Sequence, residues 1–138
     1  MRRMVSKAVP EAVANAPDDL RQGLGRDGEA AAAAALQAAG YVVLERRFRC
    51  PHGEIDLICR HHDALVFVEV KTRRAEAFGG GAAAVTWRKQ RTIVRVAEAF
   101  LARGRLHHLP CRFDVVVVSW PCDAPPRADI IPAAFDAG

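Results

Sequence analysis

The chain has 138 residues, of which 51% are apolar and 26% are charged, and this composition predicts one globular domain. No apolar run approaches the roughly 18 residues of a membrane span, and residues 1–20 lack the continuous apolar core of a signal peptide. Because the four cysteines form no CxxC pair, we expect free thiols in the cytoplasm, with residues 1–20 as a mobile tail before a domain at 21–138.

The first half of this domain predicts one helix and three strands. A dense alanine run predicts a helix over Leu20–Ala39, and Gly40 is a natural C-terminal cap for it. Tyr41–Arg49 is rich in valine and aromatic residues and predicts the first strand. Residues 53–71 alternate apolar and charged side chains on both sides of a polar turn at Arg60–Asp63, which predicts a β-hairpin.

The second half predicts a helix between two further strands. Val85–Arg103 carries an apolar stripe with the spacing of an amphipathic helix. Phe113–Trp120 is almost entirely apolar, as in a central strand, and Ala128–Ile131 would be a short edge strand stopped by Pro132. The strand–helix–strand passage should be a right-handed crossover between parallel strands. The sequence therefore predicts an α/β fold with a mixed central sheet flanked by helices, in the order α-β-β-β-α-β(-β).

The hairpin brings acidic side chains together. One face is apolar if three residues of each strand lie opposite one another: Ile55, Leu57 and Cys59 against Val70, Val68 and Val66. The same register sets Asp56 opposite Glu69 and Glu54 opposite Lys71. Opposed side chains lie about 4.5–5.5 Å apart at Cβ, where like charges repel. This repulsion indicates a cation between the acids, so we predict Mg²⁺ or Mn²⁺ held by Asp56 and Glu69.

Other charged residues could complete a site for phosphodiester hydrolysis. The ion would lower the pKa of an attacking water. Lys71 lies two residues after Glu69 on the same strand face, where it could stabilise charge on the phosphate. Glu29 could reach the ion from the first helix. Lys89 lies four residues before Ile93 and extends the core-facing stripe of the second helix toward the site.

Each of these residues also has a purely structural interpretation. Glu54 and Lys71 could form a cross-strand ion pair, with Asp56 solvated at a sheet edge. Glu29 could be an exposed residue that the helix dipole favours near the N-terminus. Asp114, at the start of a predicted strand, is predicted to be a capping or salt-bridge residue rather than a ligand.

The second helix and the segment after it are strongly basic. Residues 86–112 carry a single acid, Glu98, against seven basic residues: Arg88, Lys89, Arg91, Arg95, Arg103, Arg105 and Arg112. Such a stripe suits a polyanion, most often nucleic acid. The alternative is a solvated helix face in an arginine-rich protein, since 17 of the 20 basic residues are Arg. The candidates for contacts with DNA phosphates are Arg73, Arg88, Arg91 and Arg95.

Six motifs in order resemble the YraN-like family: GxxGE at Gly25–Glu29, GY at Gly40–Tyr41, GEIDLI at Gly53–Ile58, VFVEVKTR at Val66–Arg73, the helix containing Lys89, and RFDVV at Arg112–Val116. The likeness covers about residues 21–135. These small bacterial proteins are similar to archaeal Holliday-junction resolvases of the PD-(D/E)xK nuclease superfamily. One departure is Arg47, which stands where the family pattern has asparagine.

The resemblance implies a restriction-endonuclease-like sheet and a nuclease site. Its catalytic residues would be Glu29, Asp56, Glu69 and Lys71, with Lys89 or Gln90 facing the site from the second helix. Resolvases of this fold are homodimers, which implies a dimer by analogy.

We therefore expect a Mg²⁺- or Mn²⁺-dependent endonuclease that cleaves DNA, with branched and single-stranded DNA as candidate substrates. One alternative is a non-catalytic module that binds DNA or a partner on a nuclease scaffold. The other is an interaction protein whose basic helix contacts an acidic partner.

Overall fold

The computed structural model of the protein describes residues 5–8, 21–74, 85–120 and 125–138. The elements in these ranges are β1 (Val5–Ala8), α1 (Arg21–Ala38), β2 (Val42–Cys50), β3 (Gly53–His61), β4 (Ala64–Arg74), α2 (Trp87–Gly104), β5 (Cys111–Trp120) and β6 (Arg127–Phe135). From α1 onward they follow the predicted order α-β-β-β-α-β-β.

The strands of the described residues form one mixed sheet in the order β1-β6-β5-β4-β3-β2. Only the pair β4–β5 is parallel, as predicted for strands joined through a helix, and the other neighbours are antiparallel. β5 is buried along seven successive residues, Phe113–Ser119, because strands lie on both of its sides and it contributes to both buried cores. Its prediction as a central strand is confirmed.

Each face of the sheet packs against one helix. The α1-side core joins α1 to one face, and its members include Ala32, Leu36, Tyr41, Leu57, Cys59, Val66, Val68 and Val116. The α2-side core joins α2 to the other face, and its members include Phe48, Ile55, Ile58, Phe67, Ile93, Val96, Val115 and Val117. Neither of the helices in the described ranges has the length and apolarity needed to cross a membrane.

The end of α1 follows its predicted cap. Gly40 has φ 94°, in the left-handed region that glycine adopts without strain. This conformation lets the Tyr41 N–H donate to the carbonyl oxygen of Leu36 at 2.9 Å, and the Gly40 N–H to that of Gln37 at 3.1 Å. The last carbonyls of the helix therefore have partners, which completes the helix stop that the sequence predicts.

Side-chain capping begins α2, and a non-glycine residue ends it. The Thr86 hydroxyl accepts a hydrogen bond from the Lys89 N–H at 3.1 Å, a standard N-cap. The left-handed residue after the helix is Arg105, with φ 55°, and Gly104 is the last helical residue. A Cβ on Gly104 would lie 2.9 Å from Leu106 Cδ1, so a larger residue there would require the Leu106 side chain to shift.

The last strand is longer than predicted and does not form the sheet edge. The sequence predicts Ala128–Ile131 as an edge strand stopped by Pro132, whereas β6 continues to Phe135 and β1 pairs with its outer side. The register of β5 with β6 shifts around Asp114, and Pro132 lies in the resulting bulge. A bulge residue need not donate an N–H to the neighbouring strand, so proline is tolerated there. The next residue, Ala133, has φ 51° and donates its N–H to Asp114 Oδ1 at 3.0 Å.

The segment predicted as a mobile tail contributes a strand. Val5–Ala8 pairs antiparallel with β6, from Val5 opposite Ile130 to Ala8 opposite Arg127. Residues 1–4 and 9–20 lie outside the described ranges, so a mobile tail there stays a prediction. Cys50, Cys59 and Cys111 carry free thiols, and Cys122 lies outside the described residues.

Candidate functional site

The hairpin β3–β4 has the predicted register next to its turn and departs from the predicted pattern at Asp56. Leu57 pairs with Val68, as predicted. Ile55 was predicted on the same face as Leu57, and this is wrong: Ile55 lies in the α2-side core and Leu57 in the α1-side core. The two-residue alternation of β3 therefore fails at the residue between them, Asp56.

The break at Asp56 has a local cause. Asp56 Oδ2 accepts a hydrogen bond from the Val70 N–H at 2.8 Å, so a side chain takes the place of a backbone acceptor in the ladder. On the other side, the β2–β3 register pairs the two neighbours of Arg47 with the two neighbours of Asp56. Arg47 itself has φ 54°, an uncommon conformation for a non-glycine residue. Both strands thus deform where the acid lies.

Four carboxylates converge at this break. Glu29 on α1 and Glu54 and Asp56 on β3 each offer one oxygen, and these oxygens lie within 4.8 Å of one another. Glu69 on β4 is 8% exposed and lies against Asp56. Burial, with the Glu69 carboxylate as the next largest cause, raises the pKa of Asp56 to about 7, and Glu29 adds to the rise.

Two arginines of β2 contact the outer acids. Arg47 Nε lies 2.7 Å from Glu29 Oε2, and this hydrogen bond raises the pKa of Arg47. Arg49 Nε lies 2.7 Å from Glu54 Oε2. The structure therefore pairs Glu54 with Arg49 rather than with Lys71. No role for Arg47 is predicted from the sequence. The only feature that singles it out there is that arginine replaces the asparagine of the family pattern.

The predicted lysines lie on both sides of Glu69. Lys89 Nζ reaches Glu69 Oε2 at 3.7 Å, so α2 points this residue at the acids as predicted. Lys71 is partly buried on β4 and makes no ion pair within the described part of the chain. Gln90 does not face the acids in the same way, because its Nε2 donates to the Val85 carbonyl oxygen at 2.9 Å.

The predicted DNA-contacting arginines fall into two groups. Arg88 and Arg95 are exposed on α2. Arg91 is half-buried, and its guanidinium donates to the carbonyl oxygens of Asp136 (3.0 Å) and Ala137. Arg73 Nε donates to Ser119 Oγ at 3.5 Å. Helical spacing alone could not show that Arg91 binds the protein's own backbone.

The donor set fits a hard divalent cation. All four groups offer carboxylate oxygens, which Mg²⁺ and Mn²⁺ prefer over nitrogen or sulfur. Burial and the Glu69 carboxylate raise the pKa of Asp56, so a cation beside it would stabilise its charged form. Asp56 with Glu69 could hold an ion, and Glu29 and Glu54 lie close enough to Asp56 to add ligands.

A second polar cluster forms at the other end of β3, and its side chains bind one another. Asp114 is fully buried and accepts hydrogen bonds from Tyr41 Oη at 2.7 Å and Arg112 Nε at 2.8 Å. Its prediction as a salt-bridge residue is confirmed. His61 stacks on Tyr41 at 4.0 Å between ring centroids. Burial and the bond to Asp114 raise the pKa of Tyr41.

Comparison with known proteins agrees with the motif likeness. The model of "Uncharacterised protein family UPF0102" matches residues 28–118. A UPF0102 protein of Symbiobacterium thermophilum is 47% identical over 114 residues, which is 83% of this chain and 97% of the relative. One of Geotalea uraniireducens is 46% identical over 113 residues, 82% of this chain and 89% of the relative.

A third relative, from Nitrosomonas europaea, is 48% identical over 95 residues, 69% of this chain and 80% of its own length. These relatives come from bacteria, and their names give the family. The segment that the family model matches includes Glu29, Asp56, Glu69 and Lys71. The chain belongs to the uncharacterised protein family UPF0102, the YraN-like family.

Proposed function

We propose that this protein is a Mg²⁺- or Mn²⁺-dependent endonuclease that hydrolyses DNA phosphodiester bonds. One observation carries the proposal: Glu29, Glu54 and Asp56 bring carboxylate oxygens within 4.8 Å of one another at a break in β3, and Asp56 also lies against Glu69. The nuclease superfamily that the family resembles uses acids and a lysine in this order along the chain. The mixed sheet with its parallel β4–β5 pair supports the same interpretation.

The protein's own residues have separate tasks in this mechanism. Asp56 and Glu69 would hold the ion, which when bound activates water and neutralises phosphate charge. The Val70 N–H fixes the orientation of the Asp56 carboxylate through a hydrogen bond, and Lys89 forms an ion pair with Glu69 at 3.7 Å. Lys71 projects from the same face of β4 as Glu69, so its ammonium would stabilise negative charge on the phosphate oxygens.

Charge supports a polyanionic substrate. The net charge is +4, and Arg88 and Arg95 are exposed on the helix that also carries Lys89. We extend the proposal to branched or single-stranded DNA in the bacterial cytoplasm, and to a homodimer by analogy with resolvases. Sedimentation of the purified protein tests the dimer.

The decisive experiment is a cleavage assay on labelled linear, flapped and four-way-junction DNA, with Mn²⁺ and with EDTA. We expect cleavage that requires Mn²⁺ and falls by about 100-fold or more in Asp56→Asn and Lys71→Ala, because transition-state charge loses its stabilisation. Asp63→Asn, in the exposed β3–β4 turn, is the matched control and should cleave normally. Cleavage that survives in both site variants would belong to a contaminant and would refute the proposal.

A non-catalytic DNA-binding module is the second candidate. Arg47, Arg49 and Lys89 already lie against three of the four acids, so the cluster is partly neutralised without an ion. This candidate predicts salt-sensitive DNA binding in EDTA that Asp56→Asn leaves unchanged, with no cleavage in any metal. Absence of DNA binding at low salt would favour an acidic protein partner instead.

A further inference from the structure

The outward face of α2 carries a groove of about 430 Å³. Its walls include Trp87, Arg88, Arg91, Arg95, Glu98 and Ala137. The side chains of the helix that face the sheet, such as Ile93 and Val96, are buried in the α2-side core. The groove therefore lies on the face of α2 that the fold leaves in contact with solvent.

Trp87 is the most exposed large apolar side chain among the described residues, at 72%. An indole in water is unfavourable, and this ring contributes nothing to either core. The Arg91 guanidinium carbon lies 5.6 Å from its ring centroid, and Arg91 is itself held by the backbone oxygens of Asp136 and Ala137. The ring is thus supported from one side and open to water over most of its surface.

Positive charge surrounds this ring. Arg88 and Arg95 are exposed in the same groove, and Glu98 is the one acid among the described residues that line it. A flat aromatic surface flanked by exposed guanidinium groups is the chemistry of single-strand recognition: a base stacks on the ring while the arginines contact phosphates. Duplex bases offer no free face to such a ring.

The groove begins at the first turn of α2, and the same turn carries Lys89, which contacts the candidate metal centre. Trp87 and Lys89 lie in the same first turn of α2, which spans about 5.4 Å. Lys89 points to the other side of the helix and reaches Glu69 at 3.7 Å. A strand that leaves the acids and passes around the N-terminus of α2 would therefore reach Trp87.

We propose that Trp87, Arg88 and Arg95 form a subsite for an unpaired nucleotide in a single-stranded segment of the DNA substrate. This inference deepens the proposed function and rests on it, because α2 carries both the subsite and Lys89, which contacts the acids. It assigns the substrate class as DNA with a single-stranded segment rather than a continuous duplex.

The test uses the full chain in EDTA, so that no cleavage is needed. The protein has two tryptophans, and Trp120 is partly buried against the α1-side core. We expect oligo(dT) to quench the Trp87 emission through stacking, whereas an abasic oligodeoxynucleotide of equal length and charge should not. By anisotropy the abasic strand should bind about tenfold more weakly, within the range for loss of a stacked base.

Two variants show which tryptophan is quenched. Trp87→Leu should lose the quenching and the preference for oligo(dT), while Trp120→Phe should keep both. Circular dichroism of each variant confirms its fold, and Trp87 is exposed enough for its replacement to be tolerated.

Three outcomes would overturn the subsite. They are absence of quenching by oligo(dT), equal quenching by the abasic strand, and equal quenching by poly-glutamate, which would indicate an acidic polypeptide as the occupant. Because cleavage is measured separately, a protein that binds as expected but never cuts DNA refutes the nuclease and leaves the subsite standing. Cleavage without base-dependent quenching would support the nuclease and refute the subsite.

Discussion

At the scale of single residues, Asp56 holds a charge that the folded protein disfavours. Its pKa rises from the ordinary 3.8 to about 7, through burial first and the Glu69 carboxylate second. Without metal, the folded state therefore binds a proton here more tightly than the unfolded state does. We predict that the free energy of unfolding in EDTA falls as pH rises from about 4 to about 7 and then levels off. Urea denaturation at several pH values measures this.

The variant Asp56→Asn separates this effect from other titrations. Asparagine keeps an oxygen that can accept from the Val70 N–H but has no carboxyl proton to lose. In EDTA it should be more stable than the wild-type protein by roughly 1–3 kcal/mol at about pH 8. The difference should vanish toward about pH 4. A difference that is the same at both pH values would contradict the assignment.

Arg47 competes with a metal ion for Glu29. Its Nε lies 2.7 Å from Glu29 Oε2, beside the oxygens of Glu54 and Asp56. We predict that Arg47→Ala raises the affinity for Mn²⁺ severalfold, measured by calorimetry, because one cation leaves the cluster. Arg60→Ala removes an equal charge from the exposed end of β3 and should change little. Equal effects of both variants would mean that net charge alone matters.

At the scale of elements, the contact of α1 with β4 depends on a missing side chain. A Cβ on Gly28 would lie 2.5 Å from Thr72 Cγ2, well inside van der Waals contact. We predict that Gly28→Ala destabilises the protein by roughly 1–2 kcal/mol, because this clash outweighs the better helix propensity of alanine. Urea denaturation measures the change. Thr72→Ser removes the clashing methyl group and should restore most of the loss. If Gly28→Ala costs as much in the Thr72→Ser variant as in the wild-type protein, this contact is not the cause.

Local signals predict most elements because they act within a few residues. Gly40 ends α1 through its own left-handed backbone, and the apolar run Phe113–Trp120 needs cover on both faces wherever it lies. The errors come from long-range pairing. Pro132 stops a strand in isolation, but a bulge opposite Asp114 accommodates it. Val5–Ala8 becomes a strand by pairing with β6, which no local pattern indicates.

In the candidate site, too, local patterns predict some features, and long-range contacts decide the others. The hairpin register follows from alternation, so the closeness of Asp56 to Glu69 is predictable within one supersecondary unit. The break at Asp56 and the contact of Glu29 with Arg47 cannot be predicted from the sequence. Both depend on how α1, β2 and β3 pack together. The residues alone leave Glu29 as either a ligand from the first helix or an exposed helix residue, and the family likeness favours the ligand.

At the scale of the whole molecule, the site joins the two layers of the fold. Glu29 approaches from α1 and Lys89 from α2, although these helices pack on opposite faces of the sheet. Both can reach the cluster around Asp56, Glu29 beside Glu54 and Asp56 and Lys89 at Glu69, because β3 loses its alternation at Asp56. The break in the strand is therefore what lets one cluster draw residues from both layers.

Asp114 stabilises the molecule away from this cluster. Its buried carboxylate binds Arg112, Tyr41 and the Ala133 N–H, and so ties the start of β2 to β5 and β6. We predict that Asp114→Asn lowers the free energy of unfolding by roughly 3–5 kcal/mol, because it leaves the half-buried Arg112 charge unpaired. Tyr41→Phe removes one hydrogen bond and should cost only about 1 kcal/mol.

Urea denaturation compares the two variants, and Mn²⁺ titration of each variant in its folded state gives a second measurement. Both should bind Mn²⁺ with the affinity of the wild-type protein, because Asp114 is buried on the α1 side around the end of β3, whereas Asp56 lies near the start of that strand. A cost for Asp114→Asn no larger than for Tyr41→Phe would show that the Arg112 charge is solvated. Weaker Mn²⁺ binding in folded Tyr41→Phe would show that the two clusters are coupled through the sheet.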